Sequence, residues 1–263
     1  MRAWSDRFFE FRASITHELR AMGPHGVHSP FVFDILINYC PSSFDIEVLK
    51  VLRDLHKELR RDSTVIVKVD YGTGESGPIK VSTIANRSIK SFKQSIFISW
   101  LAKHVNSTRI LELGSCLGTT TAALAAINPE AEINSVEGCS NTARIASDNL
   151  RKLGLQNAKI IQYEMSEYFH SLPKCALNQF DFIILDCNHT YSATLEYFLQ
   201  IESSSNENLV IVCDDIHWSA EMNRAWKFMS QRPTFEISID FLHFGILARR
   251  KGKEKEHFVL KMP

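Results

Sequence analysis

From residue 109 onward, short apolar runs alternate with longer segments whose apolar residues recur at helical spacing. Five runs predict parallel strands, and four of them are apolar at most positions, which is typical of strands covered on both faces; the runs are residues 110–113, 133–136, 158–163, 180–185 and 208–213. Two later runs, 235–241 and 244–249, are too close together for a helical crossover and predict an antiparallel hairpin. The pattern predicts an α/β fold with a seven-stranded, mostly parallel sheet that ends in this hairpin.

The first 85 residues show a different, mainly helical pattern. Residues 4–21 predict an amphipathic helix with one apolar side, formed by Trp4, Phe8, Phe11, Ile15 and Leu19. Residues 31–39, 45–59 and 83–105 predict further helices. We therefore expect a helical N-terminal extension over residues 1–85 and a sheet-containing domain over 86–263. The extension, including the loop 25–30, is a candidate lid or acceptor wall.

A glycine-rich stretch in the extension spells G-x-G-x-x-G with Gly72, Gly74 and Gly77. That spacing binds a dinucleotide only when it follows a strand and opens a helix. Here Pro78 and the short run Ile79-Lys80-Val81 do not open a convincing helix, so the stretch predicts a loop or a hairpin connection.

The turn after the strand 110–113 has the spacing Glu112-x-Gly114-x-x-x-Gly118 and leads into the helical run 119–127. Glycines at such a turn let the backbone approach a ligand, and the new helix offers free N–H groups. A pyrophosphate-binding turn needs a closer first pair of glycines. The turn, with Ser115 between its glycines, therefore favours a ligand that has an adenosine but no diphosphate.

Each of the five parallel strands carries an acidic residue or ends at one, namely Glu112, Glu137, Glu164, Asp186 and Asp214. The carboxyl ends of parallel strands converge on one edge of a sheet, where such folds bind ligands. Glu137 is placed to accept both hydroxyls of a ribose, and Glu164 to meet an adenine amino group. Any one of these acids could instead cap a helix.

The glycine turn resembles the first motif of class I S-adenosylmethionine-dependent methyltransferases. Asp186-Cys-Asn-His189-x-Tyr191 resembles the fourth-strand motif Asp-Gly-Asp-His-x-Tyr of one subgroup, with Cys187 and Asn188 as departures. Residues 210–215 resemble that subgroup's fifth strand, and also that of catechol-type O-methyltransferases. The resemblance, over about residues 90–250, implies a Rossmann-like fold in which Glu112 fixes the loop, the glycines flank the methionine moiety and Asp186 shapes the cofactor pocket.

The resemblance to catechol-type enzymes also implies a divalent metal. Asp186, Asp214 and Asp215 could supply three oxygen ligands to Mg²⁺, and the metal would lower the pKa of a substrate hydroxyl. Asn188 stands where the subgroup has a further acid, so the alternative is that these residues shape the pocket and cap a helix. His189 is the candidate general base, because its unperturbed pKa lies near neutrality.

Composition narrows the functional classes. Lys+Arg and Asp+Glu both number 30 in 263 residues, a balance that argues against a general nucleic-acid binder. No apolar run approaches the length of a membrane span. Six scattered cysteines without a C-x-x-C pair, and an N-terminus interrupted by acids, predict a cytoplasmic protein with reduced thiols.

Together these features predict an S-adenosylmethionine-dependent methyltransferase that acts on a small molecule, most readily at oxygen. A ribose contact at Glu137 would suit NAD as well as S-adenosylmethionine, so only the glycine spacing distinguishes the two ligands. The alternatives are therefore an NAD-dependent oxidoreductase and a nucleotide-sensing or scaffold protein that keeps the fold without turnover. The sequence leaves the acceptor and the oligomeric state open.

Overall fold

A computed structural model of the chain describes residues 4–72, 76–173 and 175–263. Its helices are α1 Trp4–Arg20, α2 Pro30–Asn38, α3 Ile46–Arg61, α4 Val81–Arg87, α5 Phe92–His104, α6 Thr119–Ile127, α7 Ser140–Lys152, α8 Met165–Ser171, α9 Tyr191–Glu202 and α10 Ala220–Ser230. Its strands are β1 Val65–Lys68, β2 Gly77–Lys80, β3 Arg109–Leu113, β4 Glu132–Glu137, β5 Ala158–Gln162, β6 Phe182–Leu185, β7 Val210–Asp214, β8 Ile237–Asp240, β9 Phe244–Ala248 and β10 Glu256–Val259.

Backbone contacts divide the chain into two compact units, Tyr39–Ser171 and the pair of segments Met1–Asn38 and Leu172–Pro263. The unit Tyr39–Ser171 is called the central unit below, and the other is called the terminal unit. The predicted functional division at residue 85 stays a prediction, since these units reflect backbone contacts alone.

In the central unit, β3 pairs in parallel with β4 and β4 in parallel with β5. In the terminal unit, β6 and β7 are parallel, and β9 runs antiparallel to both β7 and β8. Every residue of β6 is buried, as expected of a strand covered on both faces. The predicted Rossmann-like α/β fold, mostly parallel with an antiparallel hairpin and helices before it, is confirmed.

The predicted number of strands was one too low. Residues 256–259, which the sequence suggested were a charged tail with a short apolar anchor, form β10 and pair in parallel with β8. Phe258 and Leu260 are buried there. A short strand at an edge, flanked by lysines, gives little local signal because its hydrogen-bond partner lies elsewhere in the sequence.

The single helix predicted over 83–105 is wrong, because the chain breaks between α4 and α5. Ser91 begins α5 with a capping box, in which its side chain accepts from the Gln94 N–H and Gln94 reaches back to the Ser91 N–H. Such reciprocal bonds satisfy donors that would otherwise lack partners at a helix start. The apolar spacing continues across the break and therefore concealed it.

The glycine-rich stretch of the extension joins β1 to β2, which form an antiparallel hairpin from Val65↔Lys80 to Lys68↔Gly77. Gly74 lies outside the described residues. Gly77 opens a strand rather than a helix, which agrees with the rejection of a dinucleotide fingerprint at this point.

Helix α3 belongs to the core of the central unit. Leu52, Leu55 and Leu59 are buried in one cluster with Ile84 and Ala123. Asp45 caps the helix by accepting the N–H groups of residues 47 and 48. Residues 46–61 are therefore packing elements, which leaves less of the N-terminal extension to serve as a lid.

The apolar side of α1, in contrast, faces solvent. Phe8, Phe11, Ile15 and Leu19 are between 47% and 82% exposed. The predicted helix is present, but its amphipathic pattern does not reflect burial within the described chain. No helix in the described ranges combines the length and apolarity that crossing a bilayer requires.

We expect stability to fall as the pH drops through the titration of His56, a buried residue of α3. Burial, aided by the charge of Arg60, lowers the pKa of His56 from 6.5 to about 4. The folded state thus favours the neutral ring, so stability is fully present above about pH 6.5 and is lost toward pH 4. A shift of that size corresponds to about 3 kcal/mol.

Urea unfolding of wild type and His56→Leu at several pH values measures this loss as the difference between the two curves. His170→Leu, which removes an exposed histidine of α8, is the control and should follow the wild type. Parallel pH curves for wild type and His56→Leu would show that His56 does not cause the loss.

Candidate active site

The turn between β3 and α6 has the tight geometry that its glycines permit. Gly114 has φ 105° and Gly118 has φ 76°, both in the region that favours glycine. The Gly118 N–H donates to the Ser115 carbonyl at 2.7 Å and closes the turn. A Cβ on Gly118 would lie 2.9 Å from the Cβ of Ala146 in α7, so glycine also allows α6 and α7 to pack closely.

Glu112, in the strand that leads into this turn, is held by buried hydrogen bonds. It is 1% exposed, and its Oε2 accepts hydrogen bonds from Thr121 Oγ1 at 2.5 Å and Ser135 Oγ at 2.6 Å. These bonds join β3 to α6 and β4, and they satisfy a charge that would otherwise be costly to bury. The arrangement agrees with the loop-fixing role that the family resemblance implies.

Ser115 is the residue of the turn that has an unused polar atom. The residue is 4% exposed, and its Oγ finds no hydrogen-bond partner in the described part of the chain. Buried hydroxyls are nearly always paired, so this unpaired one makes Ser115 a candidate for contact with a ligand. The sequence made Ser115 a candidate binding residue only because it lies between the two glycines of the turn.

Glu137 ends β4 and binds the same turn. Its Oε2 accepts the Cys116 N–H at 2.8 Å, while Oε1 accepts the Cys139 N–H at 3.0 Å and the Thr142 hydroxyl at 2.9 Å. A carboxylate offers about four acceptor positions, so about one is left for a ligand. Burial raises the pKa of Glu137, although these three donors and the nearby Lys68 charge oppose the shift.

Glu164 follows β5 and caps α8. Its Oε2 accepts the Glu167 N–H at 3.0 Å, which is the helix-capping alternative considered for such acids. A capping carboxylate keeps further acceptor positions, so the predicted contact with an adenine amino group stays a prediction.

In the terminal unit, Asp186 and His189 lie close together after β6. His189 Nε2 is 3.5 Å from Asp186 Oδ1, a long separation of the kind that free enzymes often show before substrate binds. His189 Nδ1 is buried and without a hydrogen-bond partner among the residues described. The Trp218 ring lies beside the imidazole, with centroids 5.9 Å apart.

The backbone between Asp186 and His189 is strained. Asn188 has φ 63° and His189 has φ 33°, and the His189 N–H donates to the Cys187 carbonyl at 2.9 Å. A γ-turn with positive φ is a rare conformation. Strain of this kind at non-glycine residues persists where the surroundings enforce it, often at functional sites.

Asp214 ends β7, and Asp215 begins a turn in which its carbonyl accepts the Trp218 N–H at 2.9 Å. Within residues 4–72, 76–173 and 175–263, no three His, Cys, Asp or Glu side chains are grouped so that they could hold a metal ion. This observation does not support a metal site formed by Asp186, Asp214 and Asp215, and their role as metal ligands stays a prediction.

A buried ionisable cluster in the terminal unit was missed by sequence reasoning. Asp240 accepts a hydrogen bond from His217 Nε2 at 2.7 Å and lies 3.4 Å from His17 Nε2. Burial opposes ionisation of Asp240, but its contacts with His217 hold the pKa of the carboxyl below its usual range. His217 Nδ1 also contacts Asn223 at 2.8 Å. Both ring nitrogens of His217 therefore have hydrogen-bond partners within the terminal unit.

The structure thus brings the predicted cofactor residues into two groups. The central unit holds Glu112, the turn Gly114–Gly118, Glu137 and Glu164, and Glu137 is bonded directly to the turn. The terminal unit holds Asp186 and His189, in contact with each other. The ligand-binding role of each residue stays a prediction.

Comparison with known proteins identifies a family that part of the chain matches. Residues 111–216 match a protein family described as a methyltransferase domain. The match spans the glycine turn, Glu137, Glu164, Asp186 and His189, and it confirms the resemblance to class I methyltransferases. No curated protein sequence matches the chain.

Solved structures show the same fold at low sequence identity. The SAH-bound methyltransferase PaMTH1 of Podospora anserina is 15% identical, with a TM-score of 0.58 over 95% of this chain and 98% of that one. TomG of Streptomyces achromogenes, an O-methyltransferase involved in tomaymycin synthesis and bound to SAM, is 18% identical, with a TM-score of 0.56 over 84% and 95%. An O-methyltransferase of Bacillus cereus in complex with SAH is 16% identical, with a TM-score of 0.53 over 83% and 94%.

Proposed function

We propose that this chain, whose residues 111–216 match a methyltransferase domain, transfers a methyl group from S-adenosylmethionine to an oxygen of a small-molecule acceptor. The observation that carries the proposal is the hydrogen bond from the Cys116 N–H in the glycine turn to the Glu137 carboxylate. The same turn also contains the unpaired Ser115 hydroxyl. Solved structures of similar fold, named as O-methyltransferases bound to SAM or SAH, support the choice of ligand and of oxygen.

In this proposal, Gly114, Ser115 and Gly118 hold the amino-acid end of the donor, and Glu137 accepts a ribose hydroxyl at its remaining acceptor position. Glu164 accepts the adenine amino group, and Asp186 shapes the cofactor pocket. S-adenosylmethionine supplies an electrophilic methyl group on a sulfonium sulfur. The residues have to align donor and acceptor and remove a proton, which is the part of the reaction that positioning and general-base catalysis accelerate.

His189 is the proposed base. Asp186, 3.5 Å from its Nε2, orients the ring so that the other nitrogen can accept a proton. The acceptor hydroxyl gives its proton to His189, its oxygen forms a bond to the methyl carbon, and the carbon–sulfur bond breaks with its electron pair left on sulfur. Trp218 flanks the imidazole and would form one wall for the acceptor.

Helix α3 is not part of the proposed acceptor wall, because the leucines of this helix are buried in the core of the central unit. The loop 25–30, where His28 is exposed, stays a candidate. An NAD-dependent oxidoreductase is not favoured, since the turn lacks the closer glycine pair that a pyrophosphate requires.

Calorimetry with S-adenosylmethionine, S-adenosylhomocysteine and NAD tests the proposal, followed by turnover assays with a panel of hydroxylated acceptors. We expect the two adenosyl ligands to bind and NAD not to bind. Binding of NAD alone would contradict the proposal. Binding of the adenosyl ligands without turnover on a broad panel would favour a sensor.

Because His189 is the proposed base, we expect methyl transfer to continue in excess EDTA. The measurement is the initial rate with and without chelator, after the protein has been dialysed against EDTA. A rate that disappears and returns with Mg²⁺ would instead assign Asp186, Asp214 and Asp215 to a metal.

A further inference from the structure

The segment that leads out of β1 is bound to the turn that follows β4. The Val69 N–H donates to Cys139 Sγ at 3.4 Å, and Asn141 Nδ2 donates to the Val67 carbonyl at 2.8 Å. Cys139 lies two residues after Glu137, and Asn141 lies four residues after it. Residues 67–69, which are far from the glycine turn in sequence, are thus held beside Glu137, the residue proposed to bind the ribose.

Tyr71 extends this contact with its ring. A Cβ on Gly138 would lie 2.9 Å from Tyr71 Cδ2 and 3.0 Å from Cε2, closer than real Cβ atoms approach. The same Cβ would lie 3.7 Å from the Tyr163 carbonyl, at the end of β5. Glycine at 138 therefore lets the tyrosine ring lie against this turn, and a larger residue would displace the ring.

The position of the ring is significant because of its neighbours. Gly138 follows Glu137, the proposed ribose reader, and Tyr163 precedes Glu164, the proposed reader of the adenine amino group. Tyr71 is 50% exposed, so part of its ring stays open after packing on Gly138. An exposed aromatic surface between contacts for a sugar and for a base is suited to stacking on that base.

We propose that Tyr71 stacks on the adenine of the cofactor and so belongs to its binding site. This inference rests on the proposed function. Tyr71 lies outside residues 111–216, so the family match assigns it no role. The connection between β1 and β2 thus contributes a base-binding residue from the N-terminal extension, which the sequence made a candidate lid or acceptor wall.

Calorimetric titration with S-adenosylhomocysteine and with adenosine tests this role in four variants. Tyr71→Ala removes the ring, Tyr71→Leu keeps an apolar side chain on Gly138, and Tyr71→Phe keeps the ring without the hydroxyl. Val65→Ala is the control, because Val65 is an exposed residue of the same hairpin, paired with Lys80.

We expect Tyr71→Ala and Tyr71→Leu to bind both ligands about 5- to 100-fold more weakly, which is the range for loss of one stacked base. Tyr71→Phe and Val65→Ala should stay within about twofold of wild type, since each retains the ring. In turnover assays, the KM for S-adenosylmethionine should rise for Tyr71→Ala while kcat changes little. A purely structural role predicts a lower Tm for Tyr71→Ala and recovery of affinity in Tyr71→Leu.

If Tyr71→Ala binds S-adenosylhomocysteine as tightly as wild type, or if Tyr71→Leu restores the affinity, the stacking role is wrong while the proposed function stands. If the wild type binds neither S-adenosylmethionine nor S-adenosylhomocysteine, the proposed function fails and the stacking role fails with it. The wild-type titration therefore separates the two failures.

Discussion

Replacing His189 with asparagine should lower kcat by about 10²–10⁴-fold, the usual contribution of a positioned general base. Asparagine tolerates positive φ better than most residues, so it suits the φ of 33° at this position. The substitution removes the nitrogen that is proposed to accept the proton of the acceptor hydroxyl. Because His189 is not proposed to hold the cofactor, the affinity for S-adenosylhomocysteine should change little.

The measurement is a pair of experiments on the same protein, steady-state turnover and calorimetric binding of S-adenosylhomocysteine. His243→Asn is the matched control, since His243 is an exposed histidine of the terminal unit. Asp186→Asn should lower kcat less than His189→Asn, because Asp186 orients the ring and does not take the proton. A His189→Asn enzyme with wild-type kcat would show that another group removes the proton.

The fold could be predicted well where local sequence decides it. Strands β3 to β9 begin and end within about two residues of the predicted runs, because short runs bounded by turns specify buried strands. The break at Ser91 had a local signal in Gln94 three residues later, but continuous apolar spacing masked it. Strand β10 could not be predicted locally, since its partner β8 gives it its structure.

The candidate site divides in the same way. The glycine turn and the acid at the end of β4 were found from spacing, because each lies next to a strand in sequence. The contact of His17 with Asp240 spans 223 positions, and no local pattern points to it. The Tyr71 ring on Gly138 is a long-range contact of the same kind. Sequence spacing shows which residues flank a strand, but only the fold shows which distant residues complete the site.

Replacing Glu137 with alanine should weaken binding of S-adenosylhomocysteine by about 2–4 kcal/mol, because the ribose hydroxyls lose a charged acceptor. The same change leaves the Cys116 and Cys139 N–H groups without their acceptor, so part of the loss comes from the glycine turn itself. Glu137→Gln is the sharper variant. Its oxygen can replace Oε1, but its NH₂ group then faces the Cys116 N–H, so two donors oppose each other.

Glu132→Ala is the matched control for Glu137→Ala, since it removes an exposed acid from the start of the same strand. Its affinity for S-adenosylhomocysteine should equal that of wild type. If a folded Glu137→Ala protein binds within twofold of wild type, the ribose lies elsewhere.

The pH dependence of cofactor binding should reflect the ionisation of Glu137. Ribose hydroxyls donate to the ionised carboxylate, so affinity for S-adenosylhomocysteine should fall as the pH drops through the pKa of this group. Burial raises that pKa, so the fall should begin at a higher pH than for an ordinary carboxyl. Calorimetry from pH 8 down to pH 5 measures the fall in wild type, and Glu137→Gln should show a flatter profile because the amide does not titrate. Equal slopes in the two proteins would mean that a different group controls cofactor binding.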